Sequence, residues 1–318
     1  GVTAPLRPYN STLQPQLRTV FSMSHPKIRG SLVALITPFN EDGSVNFDKL
    51  GELIDFHLAN STDALVILGT TGESSTMSHE EDNAVCEYTV KRVAGRIPVI
   101  AGSGSNSTQT MLEKSLSYER LGADGLLLIT PYYNKTNEEG MYLHFKTVAD
   151  AVKIPCILYN VPGRTGCSIS VANVARLSQH PNIVGIKEAS GNMSYAAKIA
   201  KYLSDDFALY SGNDDMIVPL LSIGASGVIS VLANIAPKET HQMVFDYLEG
   251  RTDDARRAQI ELLDVINDLF IEVNPVPVKE AMNLLDMDVG GYRLPLTHMT
   301  QAHRETLRSS LAAAGFLK

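Results

Sequence analysis

The sequence predicts a (β/α)8 TIM barrel with a C-terminal all-helical extension, on three observations. First, eight short apolar runs recur from Ser31 onward: SLVALITPF at 31, DALVILGTTG at 63, IPVIAGSG at 97, GLLLITPYY at 125, PCILYNVPG at 155, IVGIKEAS at 183, FALYSGND at 207 and GVISVLAN at 227. Second, each run ends in a Gly, Pro, Ser or Asn cluster and gives way to a stretch of helical period. Third, successive runs start about 20 to 34 residues apart, the length of a βα unit with its return loop. Strands alternating with helices imply a parallel sheet, and eight such units imply that it closes. A doubly wound open sheet would ordinarily use fewer strands.

The helices carry their own signals. Ser78 with Glu81 forms a capping box ahead of HEEDNAVCEYTVKRV, Thr136 with Glu139 predicts another, and Gly122 predicts a C-terminal stop. Residues 23–235 thus read as the barrel, and 236–318 as an appended region of three helices interrupted by NPVPVKEAM from Asn274. Residues 1–22 contain Arg7 and Arg18 but no acidic residue, and read as a leader, tag-like or targeting segment.

Composition narrows the function. Apolar residues make up 44% and charged residues 19% of the 318, as in an ordinary globular enzyme. The net charge of -8, with no block of basic residues, argues against nucleic acid or an anionic membrane surface and favours small ligands. No apolar run reaches the roughly 18 residues of a membrane span. Cys86, Cys156 and Cys167 are too few and scattered for a disulfide framework or zinc knuckle, which suits a reducing cytoplasm.

Barrel enzymes build their sites at the C-terminal ends of strands. Those ends carry Thr37, Thr70 with Thr71, Ser103, Thr130 with Tyr132 and Tyr133, Tyr159 with Asn160, Lys187 with Glu188, Ser211, and Ser230, all expected at one mouth. Alternation in the sixth run puts Gly185, Lys187 and Ala189 on one face and Val184, Ile186 and Glu188 on the other. The small neighbours leave Lys187 room inside the barrel. A lysine at a strand end can simply snorkel to solvent. A desolvated one, with its pKa lowered by about 3 units, gains almost 10³ in neutral amine at pH 7 and can form an imine with a ketone.

That chemistry needs no metal, and metal or cofactor signals are weak. HEED at 79–82 has Asn83 where a second zinc ligand would stand, and GSGSNS from Gly102 lacks the third glycine of a dinucleotide fingerprint. The acidic SGNDD after the seventh run disfavours a phosphorylated substrate.

GTTGE at 69–73, YYN at 132–134, YNVPGRTG at 159–166 and GIKEASG at 185–191 resemble the pyruvate-dependent class I aldolases of the N-acetylneuraminate lyase/dihydrodipicolinate synthase family, over essentially the whole chain from Gly30. The resemblance implies that Lys187 forms a Schiff base with C2 of pyruvate and that Tyr159 shuttles protons. It implies that Thr70 and Thr71 hold the pyruvate carboxylate, with Thr70 linking Tyr159 to Tyr133. In the family that tyrosine comes from a neighbouring subunit, so a homotetramer built as a dimer of dimers is expected. Arg164 would bind the carboxylate of L-aspartate 4-semialdehyde, with Gly212, Ile229 and Asn274 as weaker contributors. The implied reaction is condensation of the two substrates to 4-hydroxy-tetrahydrodipicolinate. The alternatives are a lyase acting on a keto sugar acid and a non-catalytic keto-acid-binding barrel.

Taken singly, these residues have ordinary readings. Tyr159 could fill the barrel, Thr70 and Thr71 could end a strand, Tyr132 and Tyr133 could pack at a surface, and Arg164 could be a loop charge. Lysine-inhibited relatives also have an allosteric pocket at the tight dimer interface. Ser74, Ser75, His79, Asn106 and Tyr132 match it, whereas Asp82 and Thr110 replace a His and a Glu. Loss of that Glu predicts weak or absent inhibition by lysine.

Overall fold

A computed structural model describes residues 27–317. Eight parallel strands close into a barrel in sequence order: β1 Gly30–Ala34, β2 Ala64–Ile67, β3 Val99–Gly102, β4 Gly125–Ile129, β5 Cys156–Asn160, β6 Ile183–Glu188, β7 Ala208–Ser211 and β8 Gly227–Ser230. Closure occurs where Gly30 of β1 pairs with Gly227 of β8. A Cβ on Gly227 would lie 1.9 Å from the Gly30 carbonyl oxygen, so the seam requires glycine there.

Two apolar layers follow from strand alternation. Leu32, Val66, Ile100, Leu127, Ile157, Tyr210 and Ile229 fill the interior, and the residues between them pack outward against the helices. The expected alternation of the sixth run needs one correction. A register shift between Cys156 and Ile157 leaves Val184 without a partner on β5, and Val184 packs with the interior cluster instead of facing the helices. From Gly185 onward the strand resumes its pattern. Lys187 pairs with Tyr159, and Asn160 with Glu188.

The capping box at Ser78 and Glu81 is present, and Gly122 follows its helix with φ +92. The second predicted box is not. Asn137, one residue later, caps helix Glu138–Ala151 by accepting from Gly140 N, and Glu139 pairs with Arg176 at 2.8 Å. Asx side chains compete well for cap positions, and here the later one wins.

Beyond β8 the described residues form five helices rather than three: Pro237–Leu248, Thr252–Glu261, Leu263–Asp268, Val276–Leu284 and Gln301–Ala313. Pro237–Leu248 packs on β1 and β8 and completes the outer helical ring, so the expected cut at residue 235 divides the last βα unit. The segment 1–22 lies outside the described residues. No described helix is long and apolar enough to cross a membrane.

Candidate active site

Lys187 is the penultimate residue of β6, inside the barrel mouth, and is 6% exposed. Its Nζ lies 4.3 Å from the centroid of the Tyr159 ring on the neighbouring strand. Two residues earlier, Gly185 lets β6 pack closely on β7: a Cβ there would stand 2.7 Å from the Ala208 carbonyl oxygen and 3.3 Å from the Tyr210 ring. Burial lowers the Lys187 pKa to about 7, the Asp214 carboxylate opposes that shift, and the Arg164 guanidinium adds to it. The amine is therefore about half neutral at pH 7.

Tyr159 is held protonated. Burial raises its pKa, Arg164 and then Thr70 act in the opposite direction, and Glu188 adds slightly to the rise. On the outer face of the same two strands, Asn160 Nδ2 donates to Glu188 Oε2 at 2.7 Å, and the other Glu188 oxygen accepts from Ser190 N at 2.7 Å. Asn160 Oδ1 accepts from Ile169 N at 3.0 Å. This buried knot fixes the register that sets Lys187 against Tyr159. Glu188 thus faces away from the lysine, as the alternation predicts.

A cavity of about 50 Å³ brings together Thr70, Thr71, Tyr159, Arg164, Lys187, Gly212 and Asn274. Thr70 and Thr71 lie in a tight turn after β2, with Gly72 N donating to Gly69 O and Glu73 N to Thr70 O, each at 3.1 Å. Asn274 reaches in from the C-terminal region and donates through Nδ2 to Thr71 Oγ1 at 2.9 Å. Arg164 rides on the short helical turn Pro162–Thr165, closed by Gly166 at φ +70, and its Nη2 donates to the Asn274 carbonyl at 3.4 Å. Asn274 Oδ1 is buried and has no hydrogen-bond partner among the described residues.

Other expected residues lie elsewhere. Ile229 is fully buried in the barrel interior beside Leu32 and does not line the cavity. Tyr133 is 90% exposed, at φ +70, and no hydrogen bond joins it to Thr70 among the described residues. The other strand-end hydroxyls do not line the cavity, and several brace loops instead. Thr37 donates to Gly72 O at 2.7 Å, Ser103 meets Ser115 at 2.8 Å, and Ser211 donates to Asn213 O at 2.6 Å. Ser230 accepts from Ala233 N at 2.9 Å. Short polar side chains at strand ends satisfy the first backbone groups of the following turn, which sequence position alone does not reveal.

Asp214 was not singled out from the sequence, although it sits in the noted SGNDD. It is 2% exposed, and its Oδ2 accepts from Val231 N at 3.0 Å and Leu232 N at 2.9 Å. Burial raises its pKa, partly offset by hydrogen bonds and by Lys187. Acidity beside a lysine-bearing strand was the available signal.

An adjoining cavity of about 220 Å³ shares Gly69, Thr70, Leu127 and Tyr159 with the first and is lined also by Ser74, Ser75, His79, Asp82, Thr110, Lys114 and Tyr132. Asn106 does not line it, and its carbonyl accepts from Asn134 Nδ2 at 2.9 Å. The Asp82 carboxylate is buried 2.8 Å from Lys114 Nζ. Among the described residues, no group of three or more His, Cys, Asp or Glu could hold a metal ion.

The sequence model of the dihydrodipicolinate synthetase family matches residues 27–314. A 4-hydroxy-tetrahydrodipicolinate synthase of Clostridium acetobutylicum is 53% identical over 290 residues, covering 91% of this chain and 99% of that one. Among solved structures, dihydrodipicolinate synthase from Aquifex aeolicus matches with a TM-score of 0.87 at 46% identity, covering 89% of this chain and 97% of that one. The chloride-inhibited dihydrodipicolinate synthase from Acinetobacter baumannii, complexed with pyruvate, matches with a TM-score of 0.89 at 42% identity, covering 92% of this chain and 100% of that one.

Proposed function

The chain belongs to the dihydrodipicolinate synthetase family, and we propose that it condenses pyruvate with L-aspartate 4-semialdehyde through a Schiff base on Lys187, giving 4-hydroxy-tetrahydrodipicolinate. One observation carries the reading: a lysine buried in the barrel mouth against Tyr159, with its pKa brought to about 7. The names and pyruvate complex of the relatives support it.

The neutral Lys187 amine adds to the C2 ketone, and loss of one water gives the iminium. Tyr159, protonated and beside Nζ, supplies the proton that the departing hydroxyl requires. The iminium makes a C3 methyl proton acidic; Tyr159, left as tyrosinate by the dehydration, takes that proton, the resulting enamine attacks the semialdehyde C4 through C3, and the proton returns to the alkoxide oxygen formed there. The amino group of the second substrate then displaces Lys187 from C2, closing the ring and freeing the enzyme. One water leaves per turnover, and no net oxidation occurs.

Thr71, held by Asn274, and the Thr70–Thr71 turn cradle the pyruvate carboxylate in this reading. Arg164 takes the carboxylate of the second substrate, whose position is favoured by a guanidinium fork rather than hydroxyl-reading groups. Exposed Tyr133 is free to enter a neighbouring subunit's site and complete the relay through Thr70, in a homotetramer assembled as a dimer of dimers. The free thiols Cys86, Cys156 and Cys167 suit a cytoplasmic setting.

The test is borohydride reduction in the presence of pyruvate, followed by peptide mass spectrometry and an assay coupled to reduction of the product. A reduced pyruvyl adduct on Lys187 with semialdehyde-dependent turnover supports the reading. An unmodified protein points to a mere binder, and cleavage of a keto sugar acid without semialdehyde turnover points to a lyase.

A further inference from the structure

We propose that the buried ion pair between Glu73 and Lys279 positions the Thr70–Thr71 turn, so that the C-terminal helical region sets the affinity for the keto acid. The inference rests on the reading that this turn holds the pyruvate carboxylate.

The turn is gripped on its far side by residues that never reach the cavity. Glu73 closes it in the left-handed region at φ +56, a conformation that a non-glycine residue keeps only when its surroundings impose it. Its Oε1 lies 2.8 Å from Lys279 Nζ on helix Val276–Leu284, and its Oε2 accepts from Arg293 N at 3.4 Å. Lys279 Nζ also donates to the Thr37 carbonyl at 2.9 Å, while Thr37 Oγ1 donates to the Gly72 carbonyl at 2.7 Å. The ammonium stands 4.4 Å over the Phe39 ring. Together with the Asn274 bond to Thr71, the C-terminal region therefore holds this turn directly at Thr71 and Glu73, and reaches Gly72 only through Thr37.

Stability is a poor reason for such a pair. The two side chains are 0% and 2% exposed, so both charges have been stripped of water. A buried pair of this kind commonly gains little over a neutral pair of similar shape, because the lost hydration offsets the attraction. A directional contact, however, defines where the turn lies, and the carboxylate cradle consists of that turn's hydroxyls and amides. Preorganising those donors improves binding without a new contact to the substrate. Glu73 and Lys279 are thus positioning residues that act through Thr71.

The experiment compares the parent, Glu73→Gln, and the double variant Glu73→Gln/Lys279→Met, which removes both charges at nearly constant shape. Each is titrated with pyruvate, read as the fraction of Lys187 trapped by borohydride, and assayed for kcat and both KM values. Folding is followed by circular dichroism and thermal melting. The expected result is a folded double variant whose half-saturating pyruvate rises tenfold or more, while kcat and the semialdehyde KM stay within about threefold. Glu73→Gln, which leaves the Lys279 ammonium buried without its counter-charge, should lose at least as much pyruvate affinity as the double variant.

A folded double variant with parental pyruvate affinity overturns the inference. So does a double variant that fails to fold, since the pair would then be a stability element. A parent that forms no adduct instead overturns the Schiff-base reading, and the two failures are separable.

Discussion

Lys187 and Tyr159 are register partners on adjacent strands, and the lysine Nζ lies 4.3 Å from the centre of the tyrosine ring. Backbone pairing holds both of them, so neither side chain has to search for the other. The lysine is buried where hydration is lost, and the tyrosine is buried in its neutral, proton-donating form. The proposed nucleophile and proton donor are therefore both set by position on the sheet.

The rate of pyruvyl adduct formation should rise with pH and level off above about 7, where Lys187 loses its proton. At pH 6 roughly a tenth of the amine is neutral, so the rate should fall about fivefold from its value at pH 7. Single-turnover trapping across pH 5.5 to 10 checks this. A rate still climbing tenfold per unit near pH 9 would mean an unperturbed lysine.

Stability should carry the same signature with a definite sign. Between about 7 and 10.5 the unfolded chain binds a proton at Lys187 that the folded chain does not, so this residue's contribution improves as pH rises across that window. Below 7 the charged form is buried at full cost. Lys187→Met should abolish turnover and raise the melting temperature, by more degrees at pH 6 than at pH 9. An equal gain at both pH values would count against the desolvated lysine.

Asp214 opposes the lowering of the Lys187 pKa. Asp214→Asn keeps an oxygen for the Val231 and Leu232 amides but removes the charge. The acid limb of the adduct-formation profile should move to lower pH. An unmoved or alkaline-shifted limb would show that Asp214 does not act on the lysine.

Arg164 is exposed, and its observed hydrogen bond runs to the Asn274 carbonyl. Arg164→Ala should raise the semialdehyde KM about 10- to 100-fold, the size expected on losing a charged hydrogen bond. Pyruvate trapping at saturation should be unchanged. Loss of trapping together with turnover would place the arginine's role in the first half-reaction.

Lysine should inhibit weakly, with an inhibition constant above about a millimolar. Thr110 brings no carboxylate to the adjoining cavity, and the one at Asp82 is already neutralised by Lys114 at 2.8 Å. An effector ammonium would have to displace that internal ammonium, losing interactions worth about 1.5 to 3 kcal/mol. Inhibition titrations at fixed substrate decide this, and a submillimolar constant would contradict it.

The eight strands and the lysine's inward direction were legible because both are short-range properties. Apolar runs of strand length, turn clusters between them and alternation about Gly185 and Ala189 are written in consecutive residues. The same locality explains the successful capping box at Ser78. It also explains the miss at Thr136, where two neighbouring caps competed and only the packed helix selected Asn137.

By itself, the sequence determined the barrel, the strand on which Lys187 stands and the face to which it points, since hydrophobic periodicity and strand alternation depend only on neighbours in the chain. Tertiary structure decided the rest. Asn274 meets Thr71 from 203 residues away, Lys279 meets Glu73 across 206, and Asp214 caps the Val231 turn beside the lysine's strand. Such contacts arise from closing the barrel and laying the C-terminal helices against its mouth, and no local pattern encodes them. The Val184 bulge belongs with them, because register is a property of two strands at once.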